Sequence, residues 1–588
     1  GQGAFEVLFD ASDVELHYAP DWPNLNQLSA EVLFFKDSLS VAANYANVNK
    51  LALKQALITI PSFEKSDHVL VKAQAEGHIA NALGFLQNTP LHQSIDKVLN
   101  AITPAGLTQA ELDLKIGLSE NISSQVNVTT HLSNAALNIK AVDLDVTKLS
   151  GDIKITEKGV FGKNIKAKVL GYPVKGEINS DDLKTAIKIA GKTNISQLQK
   201  QFSFINNQWV KDGLITGESS YNVALDLPTE AKKAAQLNIQ SDLLGMTINL
   251  PELLAKTANQ EKPLLVSMQL DELDLLPLRV NYNEQLKAAL TIDKQQSELN
   301  SAHVVYGRGK AAFAQQKGIN ITIEQDAFDA SEWAGLVKGA ANTEDSSEIA
   351  LNAISLTTKQ LHWQEKKRGA IEIAMRRLKQ QWQGSLSCSI AKGAFVLPID
   401  KTGQEKIKLE LAYLSLTELI KFNSQMEAID SDDLPLVQVS SDQLWWNKVD
   451  LGRLEIETEQ LLNGVHFKQF NVISKQHKLE FKADWIKTEQ GSVTEVYGDF
   501  VADEVGDFLS AMKFTDEVKE TQAKIGFMGA WAGTPYQFSL PAVGAEIHLK
   551  LTDGRISSIE PGFGRLLGLL AMEQWIKRVM LDFGDIYK

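Results

Sequence analysis

Apolar and polar residues alternate with a period of two along most of this chain, and that pattern constrains the fold more than any other feature. It runs through Leu112, Leu114 and Ile116, through Ile153 and Ile155, and through Ile165, Ala167 and Val169. It returns at Leu286, Ala288, Leu290 and Ile292, and at Ile319, Ile321 and Ile323. Further on it includes Leu454 and Ile456, then Phe467, Phe470 and Val472, then Leu479 and Phe481. Phe538 and Leu540 continue it, and Ile547, Leu549 and Leu551 close it. Successive residues of a strand point to opposite faces, so each run predicts a strand with one apolar and one wet face.

Few segments have helical spacing. Ile95, Val98, Leu99 and Ile102 fit one face of a short helix that Pro104 would stop. Ile195, Leu198 and Phe202 suggest a second, and Phe328 to Val337 a third. Helical breaks are expected at Leu416 to Phe422 and Val505 to Met512. An amphipathic helix is expected over 562–580, carrying Phe563, Leu566, Leu567, Leu570, Trp575, Ile576 and Val579. The small, polar, acidic stretch from Lys338 to Ser347 divides the chain. The expected organisation is a β-rich part over 1–337, a linker or loop over 338–349, and a β-rich part over 350–588.

A glycine-punctuated cadence repeats. Gly151-Asp152-Ile153-Lys154-Ile155, Gly159-Val160 and Ile165-Lys166-Ala167 match Gly452-Arg453-Leu454-Glu455-Ile456, Gly464-Val465 and Phe467 to Val472. A weaker echo runs from Gly309 through Gly318 to Ile323. Repeats of one supersecondary unit predict an elongated array, although glycine turns between alternating strands recur in any all-β protein. At about 4.8 Å per strand, roughly forty strands would make a sheet about 190 Å wide. A flat sheet of that width is untenable, because twisted sheets curl or split beyond about ten strands. A continuously curled and twisted antiparallel sheet, an open trough with its apolar face inside, resolves the problem. Two sheets packed as a sandwich would show the same alternation.

Composition excludes several functions. The 588 residues carry 59 Lys and Arg against 73 Asp and Glu, a net charge of −14. Without basic clusters such a chain is a poor binder of nucleic acid and of anionic headgroups. Its single cysteine, Cys388, permits no internal disulfide and reads as a packed thiol. No run of 18 apolar residues and no N-terminal signal pattern is present, and both ends read as cut.

Three stretches resemble the YhdP family, which belongs to the AsmA-like proteins of the Gram-negative envelope. The first is Ser241-Asp242-Leu243-Leu244-Gly245-Met246-Thr247-Ile248-Asn249-Leu250-Pro251, with Lys256 and Lys262-Pro263-Leu264. The second is Asp433-Leu434-Pro435, then Asp442 to Trp446, then Asp450 to Ile456. The third joins Leu551 to Ile556, Pro561 to Leu570 and Leu581-Asp582-Phe583. The resemblance implies a repeating β-groove in a periplasmic protein anchored in the inner membrane by a segment outside this chain. It further implies a role in moving phospholipid to the outer membrane, with no cofactor, no nucleic acid and a monomeric chain.

Catalytic chemistry finds little support. The ten histidines are scattered, with no His-Glu-x-x-His and no paired-cysteine spacing. Asp432 and Asp433 are adjacent carboxylates in a solvated loop. Gly562 to Gly568 departs from G-x-G-x-x-G and lacks the Lys and Ser or Thr of a phosphate loop. Two rivals to lipid transport remain: an elongated scaffold with a packed interior, and an enzyme whose pocket the sequence does not show.

Overall fold

The structure is a computed structural model that describes residues 5–18, 22–89, 101–119, 121–140, 143–202, 213–230, 233–270, 274–296, 298–334, 349–363, 366–399, 405–423, 436–489, 491–512, 518–535 and 543–556. The described residues are predominantly long antiparallel strands in a curled sheet, with few short helices. The chain divides into two compact units, Gly1–Ile319 with Leu336–Ala350, and Asn320–Gly335 with Leu351–Lys588.

The first unit begins with strands β1 (Glu6–Leu16), β2 (Leu25–Phe35), β3 (Ser38–Val48), β4 (Leu51–Ile60) and β5 (His68–His78). Its hairpins close on tight turns whose residues accept positive φ. Asn49 and Lys50 have φ of 47° and 63°, and Leu170 and Gly171 have 50° and 83°. Positive φ at both turn residues is the type I′ signature, whose twist matches that of the strands. Helix α1 (Ile79–Gln87) follows β5, and then come β6 (Ile102–Ala105), β7 (Leu107–Gly117), β8 (Gln125–Ile139), β9 (Leu144–Thr156) and β10 (Gly159–Val169). Strands β11 (Tyr172–Ser180) and β12 (Lys184–Asn194) precede helix α2 (Ile195–Gln201). The Asn194 side chain caps α2 by accepting from the Gln197 amide. The unit continues through β13 (Ile215–Pro228), β14 (Ala235–Ser241), β15 (Met246–Ile248), β16 (Leu264–Leu270), β17 (Leu275–Tyr282), β18 (Leu286–Asp293) and β19 (Glu298–Gly307).

Stacked bulges bend this sheet. The ladder of β1 and β2 slips between Ala11 and Val14, and that of β4 and β5 slips between Lys54 and Leu57. Asp13 and Gln55 sit at these slips with φ of 54° and 51°, and Gln27, with φ of 54°, sits at the next slip of β1 and β2, between Val14 and Leu16. Asn134, Lys148 and Asn164 do the same on β8, β9 and β10, with φ of 55°, 53° and 56°. An extra residue at one level of neighbouring strands increases local twist and curls the sheet. It also reverses the alternation, so β3 buries Val41 and Ala43 on one side of its bulge and Ala46 and Val48 on the other.

Strand β20 (Gly318–Asp329) begins in the first unit and runs into the second. The second unit holds β21 (Leu351–Trp363), β22 (Lys366–Leu378), β23 (Gln381–Cys388), β24 (Ala391–Pro398), β25 (Ile407–Ser415), helix α3 (Leu416–Asn423) and β26 (Val437–Ser441). Next are β27 (Leu444–Trp446), β28 (Val449–Asp450), β29 (Arg453–Leu461), β30 (Gly464–Ile473), β31 (His477–Thr488) and β32 (Gly491–Ala502). Helix α4 (Val505–Ala511) precedes β33 (Val518–Lys519), β34 (Gln522–Ala532), β35 (Gly544–Thr552) and β36 (Arg555–Ile556). Among the described pairings, β25 is parallel to β26 and β27 and the rest are antiparallel. The long connection through α3 permits that parallel step, which a hairpin cannot make.

Helices α2, α3 and α4 stand where the sequence predicts them. The first expected helix does not: Ile102 and Pro104 lie in strand β6, Ile95 to Leu99 lie outside the described residues, and the helix here is α1. Pro104 is accommodated because β6 is a short piece paired with β8. Phe328 lies within strand β20, next to its last residue Asp329, and residues 330–334 are helical. The helix expected over 562–580 lies outside the described residues.

Candidate functional site

In the second unit, strand register converts the alternation into two apolar rows that cross the sheet. One row passes through Leu356, Ile373, Leu386, Gly393, Leu411, Ser441, Leu454, Val472, Leu479, Phe500, Ile525 and Leu549, each opposite the next. The parallel row beside it passes through Ile354, Met375, Gly384, Phe395, Leu409, Val439, Ile456, Phe470, Phe481, Gly498, Phe527 and Ile547. Ser441 is the only member of either row with a polar side chain. It is buried, and its hydroxyl donates to the Gln443 carbonyl. A Cβ on Gly498 would lie 2.3 Å from the Glu480 carbonyl oxygen, so this position admits only glycine. Phe481 and Phe527 close over that gap, with ring centroids 6.5 Å apart.

The opposite face of the same strands is charged. Lys406 pairs with Glu457 at 2.7 Å, Lys468 with Glu459 at 2.9 Å, Lys478 with Glu480 at 2.8 Å and His466 with Asp484 at 2.6 Å. Pairs of this exposure contribute little to stability; they mark the wet face.

The first unit repeats the arrangement. A row runs through Val32, Val41, Ile58, Val71, Leu114 and Val126. Another runs through Ile153, Gly162, Ile178, Ile187, Leu225, Leu237, Met268, Leu278, Leu290 and Ala302. Helix α1 lies on this face. Leu86 packs with Ile155 and Val160, Leu83 with Leu132 and Ile153, and Phe85 with Leu114 and Val126. Trp22 stacks at a tilt between Tyr18 and Phe85, with centroids 6.2 and 6.1 Å away. Burial raises the Tyr18 phenol well above its usual range.

A cavity of about 140 Å³ lies between α1 and the sheet, lined by Val48, Leu51, Ala56, Val71, Ala73, Phe85, Leu112, Leu114 and Ile155 among others. At about 24 cal/mol per Å³, lining atoms that find no partner across it forgo about 3 kcal/mol.

The structure brings most expected lining residues together by unit. Leu112, Leu114, Ile116, Ile153, Ile155, Ile165, Val169, Leu286, Leu290 and Ile292 share the apolar face of the first. Leu454, Ile456, Phe467, Phe470, Val472, Leu479, Phe481, Ile547, Leu549 and Leu551 share that of the second. Leu454 is 2 % exposed and enclosed by Leu444 and Val472, whereas Ile547, Leu549 and Leu551 are about 40 % exposed. Ile319, Ile321 and Ile323 are half-buried on β20. Phe538, Leu540, Phe563, Leu566, Leu567, Leu570, Trp575, Ile576 and Val579 lie outside the described residues, as do Asp432 and Asp433. The reading of the sequence missed α1, although Ile79, Ala82, Leu83 and Leu86 carry the i, i+3, i+4, i+7 signal.

Among the described residues, no cluster of three or more His, Cys, Asp or Glu has metal-binding geometry, and no helix is long and apolar enough to cross a membrane.

A family model described as YhdP protein matches residues 1–588. The chain belongs to the YhdP family. A curated relative from Escherichia coli (strain K12), the intermembrane phospholipid transporter YhdP, is 22 % identical across 100 % of this chain and 47 % of its own length. The chain thus spans about half of that relative. No solved structure matches.

The YhdP-like stretch from Ser241 to Leu264 forms a knot at the side of the sheet. Lys256 is 3 % exposed, and its ammonium donates to the carbonyls of Leu243, Met246 and Thr257 at 2.8, 2.5 and 3.0 Å. Burial pushes its pKa below the usual lysine range. Tyr282, whose phenol burial raises to about 12, donates to the Leu254 carbonyl. These bonds hold an irregular loop whose ladder pairing is limited to β15 against β13 and a bridge between Ile248 and Lys256, a structural role for the most family-like residues in the first unit.

Proposed function

We propose that this chain is a section of a conduit for phospholipid between the inner and outer membranes of a Gram-negative envelope. Acyl chains slide along the apolar rows while the headgroup stays in water at the open lip. The observation that carries the reading is the pair of rows from β21 to β35, apolar but for the buried Ser441 and joined by register across the strands. Each methylene exposed to water costs about 0.8 kcal/mol, so an apolar path removes the main barrier to moving two long chains. The name of the Escherichia coli relative supports the cargo, phospholipid, and the setting between membranes. The periplasmic location, the inner-membrane anchor outside this chain and a monomeric state complete the reading. Direction and energy come from elsewhere, because a smooth groove only lowers a barrier.

Native mass spectrometry with lipid extraction on the purified chain tests this. Several co-purified phospholipids per chain are expected. A lipid-free chain that also refuses added phospholipid would replace the conduit with a packed scaffold.

A further inference from the structure

We propose that the cavity beneath α1 seats one acyl chain of a diacyl lipid, and that α1 is the lid of that seat. The proposal rests on the conduit reading and adds a fixed stopping place to it. The cavity of about 140 Å³ is close in size to the apolar cavity of about 150 Å³ that stays dry and takes up benzene, so it holds a short length of chain. Its polar lining side chains are Tyr18, Glu76, Thr108 and Thr130, with the Trp22 ring beside Tyr18. Glu76 puts no isolated charge inside, because Lys54 binds its half-exposed carboxylate. The wall includes Ile58, Val71 and Leu114, consecutive members of an apolar row of the first unit. A chain in transit therefore reaches the cavity without leaving an apolar surface.

The lid argument comes from how α1 is held. His78 offers no side-chain cap, the first turn has no acidic residue and the last turn no basic one. Gly84 interrupts a helix of nine residues, a length too short to be stable alone. Apart from two hydrogen bonds, from the Ile79 amide to the Gly106 carbonyl and from the Asn49 side chain to the Asn81 carbonyl, its position depends on Ile79, Leu83, Phe85 and Leu86 against the sheet. Those contacts are of the same kind that an acyl chain makes with the same wall, so chain and helix can exchange places with little net change in buried apolar surface.

The test is photolabelling of the full chain with phosphatidylethanolamine carrying a diazirine in one acyl chain, with adducts mapped by peptide mass spectrometry. A parallel sample receives the corresponding diazirine fatty acid. Adducts are expected on α1 and on the cavity wall, in addition to adducts on the rows of the second unit. Ala56→Phe fills the cavity from the sheet and Ala82→Leu fills it from the helix. Either variant, with its melting temperature kept or raised, is expected to lose the cavity adducts and keep those of the second unit. Wild-type adducts confined to the second unit would overturn the seat and leave the conduit standing. Cavity adducts that persist in a folded variant would also overturn the seat. Labelling of the cavity by the fatty acid alone would overturn the assignment to a diacyl lipid. Absence of adducts from both units would overturn seat and conduit together.

Discussion

Phe470 and Phe481 stack with ring centroids 4.3 Å apart and planes 20° from parallel. They are direct register partners on β30 and β31, and Ile456 continues the row on β29. A bulge between Phe467 and Phe470 places both of these side chains on the apolar face despite their odd spacing.

That stack should be measurable. Phe481→Ala is expected to lose about 2 kcal/mol, less than the ~3–5 of a fully enclosed Phe because the ring is only half-buried. In a double-mutant cycle with Phe470→Ala, the coupling should be about 1 kcal/mol. Chemical denaturation of the four chains reads both values.

Charge introduced along the apolar rows should act in two ways. Leu454→Asp buries a carboxylate with no cationic partner in its cluster and is expected to unfold the second unit, at a cost above ~3 kcal/mol. Phe527→Asp places the charge at a half-exposed point of the same face, so the chain should stay folded and bind less phospholipid. Circular dichroism melts and lipid counts by native mass spectrometry separate the two effects. Unchanged lipid binding in folded Phe527→Asp would count against the conduit.

His477 gives the second unit an acid sensitivity. Its ring packs 4.8 Å from that of Phe508 on α4 and 6.3 Å from that of Phe500, and Nε2 bonds to the Leu451 carbonyl. Burial lowers its pKa below the ordinary 6.5. The unfolded chain therefore takes up the proton first as pH falls. Stability should be full above about 6.5, decline through the interval down to the lowered folded value, and level off below it. His477→Gln should flatten that decline in melts taken between pH 7.5 and 5.

Lys256→Met should expose the role of the knot in the first unit. Methionine fills the volume but leaves three carbonyls without their donor, a loss of about 3 kcal/mol. Hydrogen exchange should rise first over residues 242–262, with the remaining strands following only as the unit unfolds.

The alternation of Leu286, Ala288, Leu290 and Ile292 was enough to predict a strand and its apolar face, because no bulge interrupts it before Thr291. The short helices at 195, 416 and 505 were legible from spacing alone. Phase was not legible where bulges intervene. Gln27, Gln55 and Asn164 look like ordinary polar strand residues, yet each takes a left-handed conformation that shifts the inward set by one. The closure of the face at Leu454 was also hidden, because it comes from Leu444 on β27, which pairs in parallel with β25. Helix α1 escaped notice because nothing marks its start: His78 offers no side-chain cap and the first turn has no acidic residue.

The most direct measurement is a photocrosslinking scan along one apolar row. A photoreactive amino acid is placed in turn at Ile354, Met375, Phe395, Ile456, Phe481 and Phe527, with Glu372, Glu457 and Lys482 as positions on the wet face, and phospholipid adducts are scored in cells. The conduit requires adducts along the whole row and none from the wet face. Equal labelling of both faces, or labelling at a single row position, would contradict it.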